Sequence, residues 1–597
     1  MSHTLRGDPG VPHRPAGRLP MPPTRPEKHA YLATRQHRWL FFASALAFLG
    51  VAVSMGGMAL YSPVTIVFVV PLALWLVEQA VTLRTSTFSR VVTVRSHRRI
   101  ISSWRPAHYP SVDIFLPSCG EPLDILENTY AHVARLSYPG TLVAYVLDDA
   151  DRPEVAQLAA HWGYRYLARP TSEFKKAGNL QYGLAHSTGD IVALLDADFV
   201  PRPEFLRETV PYLEDPTVGI VQTPQYFDVT AAQSWLQRCA GATQELFFRF
   251  IQPSRDAVGA AICVGTSAIY RRAALDRIGG FPQIGHSEDV FTGVHMARVG
   301  YRLRYVPVLL SKGTCPDDLD RFIAQQYRWC EGTLSLVTDR AFRTDPRLNR
   351  MQRLSYWSGL LYYLTTALNA LIAPAPLLVM VLWLPHRIAP MNMLPLIGIV
   401  ILWFVVLPMV SHVTWRVDVL RVQAIYGFAH LFCIVDMLSG HVEEWVPSGR
   451  VHGTFHVAVR VRRFMVPYLL ITQAVSLGGL VHGIWVYGFA NFWATVAFAA
   501  LGAYILWPVA WLGLRQGLRT RRETREARTS GRHRTPVQSG GDARSAADQA
   551  LDPNRAPAQE AAPVLTRRAD RTGNRPSHRR VGRARLAQPS PARAPRR

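Results

Sequence analysis

"DIVALLDADFVPRPEF", residues 190–205, carries an unbroken apolar run from Ile191 to Leu195 into two aspartates separated by one alanine, then into a proline-rich turn. A short apolar run bounded by turn residues reads as a strand. Its surroundings repeat the theme. "VDIFLPS" (112–118) ends at the turn "CGEP", and a helical pattern follows over Leu123–Leu136. "TLVAYVL" (141–147) ends at Asp148, Asp149 and Asp151, and "VGIVQTP" (218–224) is a further strand. Strands alternating with helices predict an α/β domain with a largely parallel sheet. Such sheets bind ligands in the crevice at the carboxyl ends of the strands, and the acidic residues gather there.

Asp151 reads as an ordinary turn residue. Asp196 and Asp198 read differently, because two carboxylates two positions apart directly after a strand suit a hard divalent cation. Mg²⁺ takes oxygen ligands, commonly one or two carboxylates plus substrate phosphates. An Asp-x-Asp alone is weak evidence; its company decides.

The α/β region is bracketed by membrane-like sequence. Trp39–Val77, Leu354–His386, Ile388–Trp415 and Phe464–Leu514 contain no Asp, Glu, Lys or Arg. About 20 apolar residues span a bilayer. The first and last stretches are long enough for two helices each, so about six spans are expected, at 39–60, 64–83, 356–384, 391–415, 464–486 and 489–513. The segment 417–460 mixes apolar residues with Asp418, Arg421, Asp436, Glu443 and Glu444 and reads as interfacial helices. Arginines at 35, 38, 84, 90, 460, 462, 463, 515 and 519 flank the spans and place those ends, both termini and the 84–353 domain in the cytoplasm of an inner (plasma) membrane protein. The start, Met1–Glu27, has no signal-peptide pattern.

The chain of 597 residues has a net charge of +24. Residues 1–38 form a basic, Pro-rich N-terminal tail. From Arg515 to 597 the composition is Arg, Pro, Ala and Ser with almost no aromatics, which predicts a disordered, solvated cytoplasmic extension, with attraction to anionic lipid headgroups as the second reading. Without interleaved aromatics or a fold it is not read as a nucleic-acid module. Six cysteines with no CxxC pair predict reduced thiols and no zinc site.

Four further segments complete the pattern: "SEFKKAGNLQYG" (172–183), "VQTPQYF" (221–227), "GHSEDVFTG" (285–293) and "QQYRW" (325–329). In order, Asp148-Asp149, Asp196-Ala-Asp198, Ser287-Glu288-Asp289 and Gln325-Gln-Tyr-Arg-Trp329 resemble the Asp, DxD, TED and Q(Q/R)xRW motifs of processive family 2 glycosyltransferases, in particular the bacterial cellulose synthase catalytic subunits. The resemblance covers roughly residues 30 to 515, with Ser287 in place of the usual threonine.

The resemblance implies a nucleotide-sugar-binding domain of GT-A type. It makes Asp289 the general base and gives Glu288 an orienting role on the loop or acceptor. Asp198 with Asp196 would anchor Mg²⁺ or Mn²⁺ and the diphosphate. Asp148 or Asp149 would contact the nucleobase and ribose, the sequence leaving the two open, and Lys176 would meet the nucleotide. Arg328 offers a planar cationic fork suited to diphosphate oxygens. Trp329 offers a face for a sugar and Gln325 an amide for hydroxyls, as an acceptor site needs. "GTSAIYRRAALDRIGGF" (265–281) and "TPQYF" line the cleft. "FHVA" (455–458) is similar to the family's FxVT gating segment, with Ala458 departing from the threonine. No PilZ signature for cyclic-di-GMP is present.

The implied function is transfer of glucose from UDP-glucose to the nonreducing end of a β-glucan that leaves through the membrane helices, with accessory export subunits as possible partners. A mannan, an N-acetylhexosamine polymer or single transfer to a lipid carrier are the alternatives.

Overall fold

The structure is a computed structural model that describes residues 19–230, 233–410, 417–443 and 455–532. All packing below belongs to the unit that ends at Arg525; Glu526–Arg597 forms a separate unit.

Nine strands form in the α/β region: β1 (Val112–Ser118), β2 (Leu142–Asp148), β3 (Arg165–Leu167), β4 (Ile191–Leu194), β5 (Val200–Pro201), β6 (Val218–Gln222), β7 (Ala268–Arg271), β8 (Arg302–Tyr305) and β9 (Ser311–Lys312). Seven of them make one sheet in the order β3-β2-β1-β4-β7-β6-β8. The pairs β3–β2, β2–β1, β1–β4 and β6–β8 are parallel, whereas β7 runs antiparallel to both β4 and β6. The sheet is therefore largely parallel, as the strand–helix alternation suggested, with β7 running against its neighbours and making it mixed. β1, β4 and β6 are buried along their whole length, and layers of apolar side chains cover both faces. β5 and β9 pair as a separate two-stranded ribbon directly after Asp198.

Among the described residues, seven helices have the length and apolarity to cross a membrane: Trp39–Leu60, Thr65–Ser86, Arg350–Trp383, Pro390–Val410, Asp418–Ser439, His456–Tyr487 and Phe489–Arg522. Six match the expected spans. The seventh, Asp418–Ser439, falls in the segment read as interfacial, and half of its apolar window is buried inside the protein, against a third or less in the others. Its charges are paired inward: Arg421 with Asp418, and Asp436 with Arg460 and the Tyr327 hydroxyl.

Both presumed tails carry structure near their membrane ends. Arg515–Arg532 continue the last helix; the remainder of the expected disordered tail, like residues 1–18 and 444–454, lies outside the described residues. The N-terminal segment forms two short helices, Arg25–Lys28 and Ala30–Ala33, docked on the sheet domain. Lys28 pairs with Glu204 and Glu208, Glu27 with Lys312 on β9 at 2.9 Å, and Arg90 donates to the carbonyls of Tyr31, Leu32 and Thr34. All six cysteines are free.

Candidate active site

The carboxyl ends of β1, β2 and β4 lie side by side, with Ser118 opposite Asp148 in the register. Asp148 is fully buried. It accepts from Ser118 Oγ at 2.9 Å, the Arg152 amide at 2.8 Å and the Tyr166 hydroxyl at 3.2 Å. These bonds hold the turn after β2. Asp149 points to Arg169, which grips both of its carboxylate oxygens. Neither carboxylate points freely into the cleft, and Asp149 is the one nearer the surface.

Arg169 was not singled out in the sequence. It also donates to the Glu173 and Lys175 carbonyls, so it ties β3 to the turn that enters the Lys175–Ala185 helix. A β-carbon at Gly178 would overlap Arg169 and the Glu173 carbonyl, which explains a glycine inside this helix. The turn is strained: Phe174 and Lys175 both have positive φ, at 55° and 50°. It delivers Lys176 into the cleft.

Lys176 is the central cation. Its Nζ donates to Asp196 Oδ1 at 2.5 Å and to the Gly265 carbonyl at 2.8 Å, and lies 4.0 Å from Glu288 Oε1. Burial alone would lower its pKa, but Asp196 and Glu288 outweigh that and raise it. Asp196 is fixed from behind, its amide donating to Thr266 Oγ1 at 2.9 Å. Gln222 ties the loop bearing Thr266 to β6, donating to the Thr266 carbonyl and accepting from the Val264 amide. The segments read as lining therefore buttress the DxD.

Asp198 is pushed up to about 7 by burial and by the nearby charges of Asp196 and Glu121, the mark of carboxylates crowded together without a compensating cation. Among the described residues no three His, Cys, Asp or Glu side chains stand together as a metal cage.

The helix Glu288–Arg298 begins at Ser287, whose backbone is left-handed (φ 51°, ψ 36°). Ser287, not Asp289, takes the N-cap position, so Asp289 is not spent on capping. Asp289 accepts from the Val290 amide at 2.8 Å and stands beside Gly265. Burial, then the adjacent Glu288, raise its carboxyl to about 7, while Lys176 and Arg328 pull it down. A carboxylate poised near neutrality is what a general base requires.

"QQYRW" lies on the helix Leu319–Thr338. Gln326, Tyr327 and Cys330 are buried, whereas Gln325, Arg328 and Trp329 are half-buried. The spacing i, i+3, i+4 puts those three on one face, and Gly332 at i+7 falls on the same face against Ser287. Burial lowers the Arg328 pKa, and Glu288, Asp196 and Asp289, which bear on it electrostatically, counter that only in part. The helix is anchored towards the membrane helices by Tyr327 to Asp436 at 2.9 Å and by Arg462 to Asp320 at 3.1 Å. Lys176, Asp196, Glu288, Asp289 and Arg328 thus share one electrostatic environment. Of the FHVA segment, Val457 and Ala458 are buried in the first turn of His456–Tyr487.

Residues 191–415 match the family model "Glycosyl transferase family group 2", from β4 through the fourth apolar helix. Cellulose synthase 1 of Komagataeibacter xylinus is 35% identical over 285 residues, 46% of this chain and 18% of that protein. The cellulose synthase 1 catalytic subunit (UDP-forming) of the same organism is 33% identical over 282 residues, 46% of this chain and 37% of that one. Among solved structures, a mannosyltransferase from Pyrobaculum calidifontis in complex with GDP-Man and Mn²⁺ aligns with a TM-score of 0.43 at 18% identity, covering 63% of this chain and 99% of that one. The chain spans well under half the length of the curated relatives it matches. Residues 191–415 are thus similar to group 2 glycosyltransferases, in a chain that combines a mixed α/β sheet with apolar helices, and about half of the chain is similar to bacterial cellulose synthases.

Proposed function

We propose that this chain is a membrane-embedded inverting glycosyltransferase that moves glucose from UDP-glucose to the nonreducing end of a growing β-glucan and passes the polymer through its apolar helices. The observation that carries this reading is the convergence of a strand-end carboxylate, two cations and a near-neutral carboxylate on one cleft. An arginine–tryptophan helix that leads towards the membrane helices forms its wall.

In this mechanism the acceptor hydroxyl gives its proton to Asp289 while its oxygen attacks the anomeric carbon. The carbon–oxygen bond to UDP breaks, so an α-linked donor yields a β-linked product. Lys176 attracts the Asp289 carboxylate, and the like charge of Glu288 beside it keeps its proton affinity high. Arg328 meets the diphosphate, and the face of Trp329 receives the terminal sugar, with Gln325 bonding its hydroxyls. Asp149, reached through Arg169, borders the nucleoside end. Asp198 and Asp196 are the residues that would hold Mg²⁺ or Mn²⁺. Their crowding with Glu121, which raises Asp198, fits a dication. Such an ion supplies charge neutralisation at the leaving diphosphate. The arginine-flanked spans orient this domain to the cytoplasm.

The test is turnover by membranes of a panel of radiolabelled UDP- and GDP-sugars, with the product digested by linkage-specific glycanases. UDP release and a β-glucanase-sensitive polymer from UDP-glucose support the reading. Release from no donor, or polymer only from GDP-mannose or UDP-N-acetylglucosamine, refutes it.

A further inference from the structure

The loop that carries the catalytic carboxylate and the helix that carries Arg328 and Trp329 are distant in sequence, yet they meet at one point with no spare room. Ser287 occupies the left-handed region (φ 51°), which is unusual for a residue with a side chain. Its side chain rests on the bare backbone of Gly332: a β-carbon at 332 would overlap Ser287 Oγ and Cβ, with the Ser287 Cα 3.8 Å away. The neighbouring residue completes the contact. His286 Nε2 lies 3.1 Å from Ser335 Oγ, and its Nδ1 lies 3.4 Å from Glu331 Oε1. The loop is thus held by a residue on each side of Gly332, while the glycine sets the distance of approach.

Glycine inside a helix costs stability relative to alanine, and nothing in the internal packing of Leu319–Thr338 calls for one at 332. The gap serves the neighbour. Asp289 is two residues after Ser287, in the first turn of the helix that Ser287 starts. Any outward shift of Ser287 therefore displaces Asp289 relative to Arg328 and Trp329.

We propose that Gly332, with His286 and Glu331, forms a clamp that positions the base: it locks the Ser287 turn against the helix of Arg328 and Trp329, so that Asp289 and the acceptor-binding face move as one body. Gly332, His286 and Glu331 are positioning residues. The donor is held by Arg328 on the helix itself and by Lys176, Asp149 and the Asp196/Asp198 pair on other elements, whereas the clamp sets where Asp289 stands, so it governs transfer more than donor binding. This inference rests on the proposed role of Asp289.

The experiment is a mutant cycle in membranes supplied with UDP-glucose, reading UDP release, polymer formed and donor KM. Gly332→Ala is expected to lower turnover by about 100-fold, the cost of a displacement of about 1 Å at a reacting group, while donor KM changes by less than about two-fold. Ser287→Gly removes the overlapping atoms and suits the left-handed backbone, so that variant retains activity. The double variant Ser287→Gly/Gly332→Ala recovers most of what Gly332→Ala loses. That recovery supports the clamp even where Gly332→Ala alone accumulates poorly. A double variant as inactive as Gly332→Ala, a Gly332→Ala enzyme with undiminished turnover, or a loss carried mainly by donor KM overturns it. Asp289→Asn run alongside separates the two levels: if Asp289→Asn is inactive and Gly332→Ala is not, the clamp fails and the base assignment stands. If Asp289→Asn is active, both fail.

Discussion

Replacing Lys176 with methionine removes the charge at the centre of the cleft and keeps the apolar stem. Lys176 stands 2.5 Å from Asp196 and 4.0 Å from Glu288. Unit charges 4 Å apart interact by about 4 kcal/mol at an effective dielectric constant of about 20. Asp289 is farther than Glu288, so about half of that, about 2 kcal/mol, is a fair share for it, or about 1.5 pKa units. The Asp289 carboxyl, already raised to about 7 by burial and Glu288 while Lys176 pulls it down, would then rise to about 8.5. The sign follows from its role. A general base works deprotonated, so activity is lost as pH falls through the pKa, and raising the pKa moves that loss to higher pH. At pH 7 the base form would drop about fifteen-fold. The assay is UDP release at subsaturating donor from about pH 6 to about pH 9, because kcat/KM reports the ionisations of the free enzyme. Wild type should show an acid limb near pH 7, and Lys176→Met should show it displaced upward by one to two units, about the shift derived above. Superimposable limbs, or a wild-type profile flat through neutrality, would refute the reasoning.

Other outcomes follow from the same geometry. Trp329→Ala should slow elongation by about three- to ten-fold, the worth of about 0.5–1.5 kcal/mol of ring contact, while hydrolysis of donor to UDP is spared; equal loss of both would remove the ring from the acceptor side. Lys312→Glu breaks a buried contact with Glu27 and Asp228 and should cost about 3 kcal/mol or more of thermal stability. Adding Glu27→Lys should return part of it, read as a melting shift in detergent. Deleting 533–597 should leave UDP release close to that of wild type, since every residue placed in the cleft precedes Arg525.

Much of this arrangement was legible because it is local. The strands ending at Ser118, Asp148 and Leu194 announce themselves as apolar runs, and the helix beginning at Glu288 follows from its composition. What escaped depends on contacts between distant segments. β7 has four residues and gains its place only by pairing with β4 and β6 on either side. Asp148 and Asp149 are indistinguishable in sequence; Ser118, Arg152 and Tyr166 occupy one, and Arg169 the other. Asp418, Arg421 and Asp436 made 417–460 read as interfacial helices, because the partners that neutralise them lie a turn away or on another element. Glu27 and Lys28 looked like part of a solvated tail for the same reason. Arg169 had one visible signal, the glycine within "KKAGN", which marks a place where something approaches the helix closely. Gly332 had the same kind of signal, one turn after Arg328.

The central claim is that the Asp289 carboxylate accepts the acceptor's proton in a cleft that binds the donor by other groups. Its most direct measurement pairs calorimetric UDP-glucose binding with polymer synthesis for Asp289→Asn in purified membranes. The account predicts donor affinity close to wild type and no polymer. Polymer made at a near wild-type rate by Asp289→Asn would contradict it.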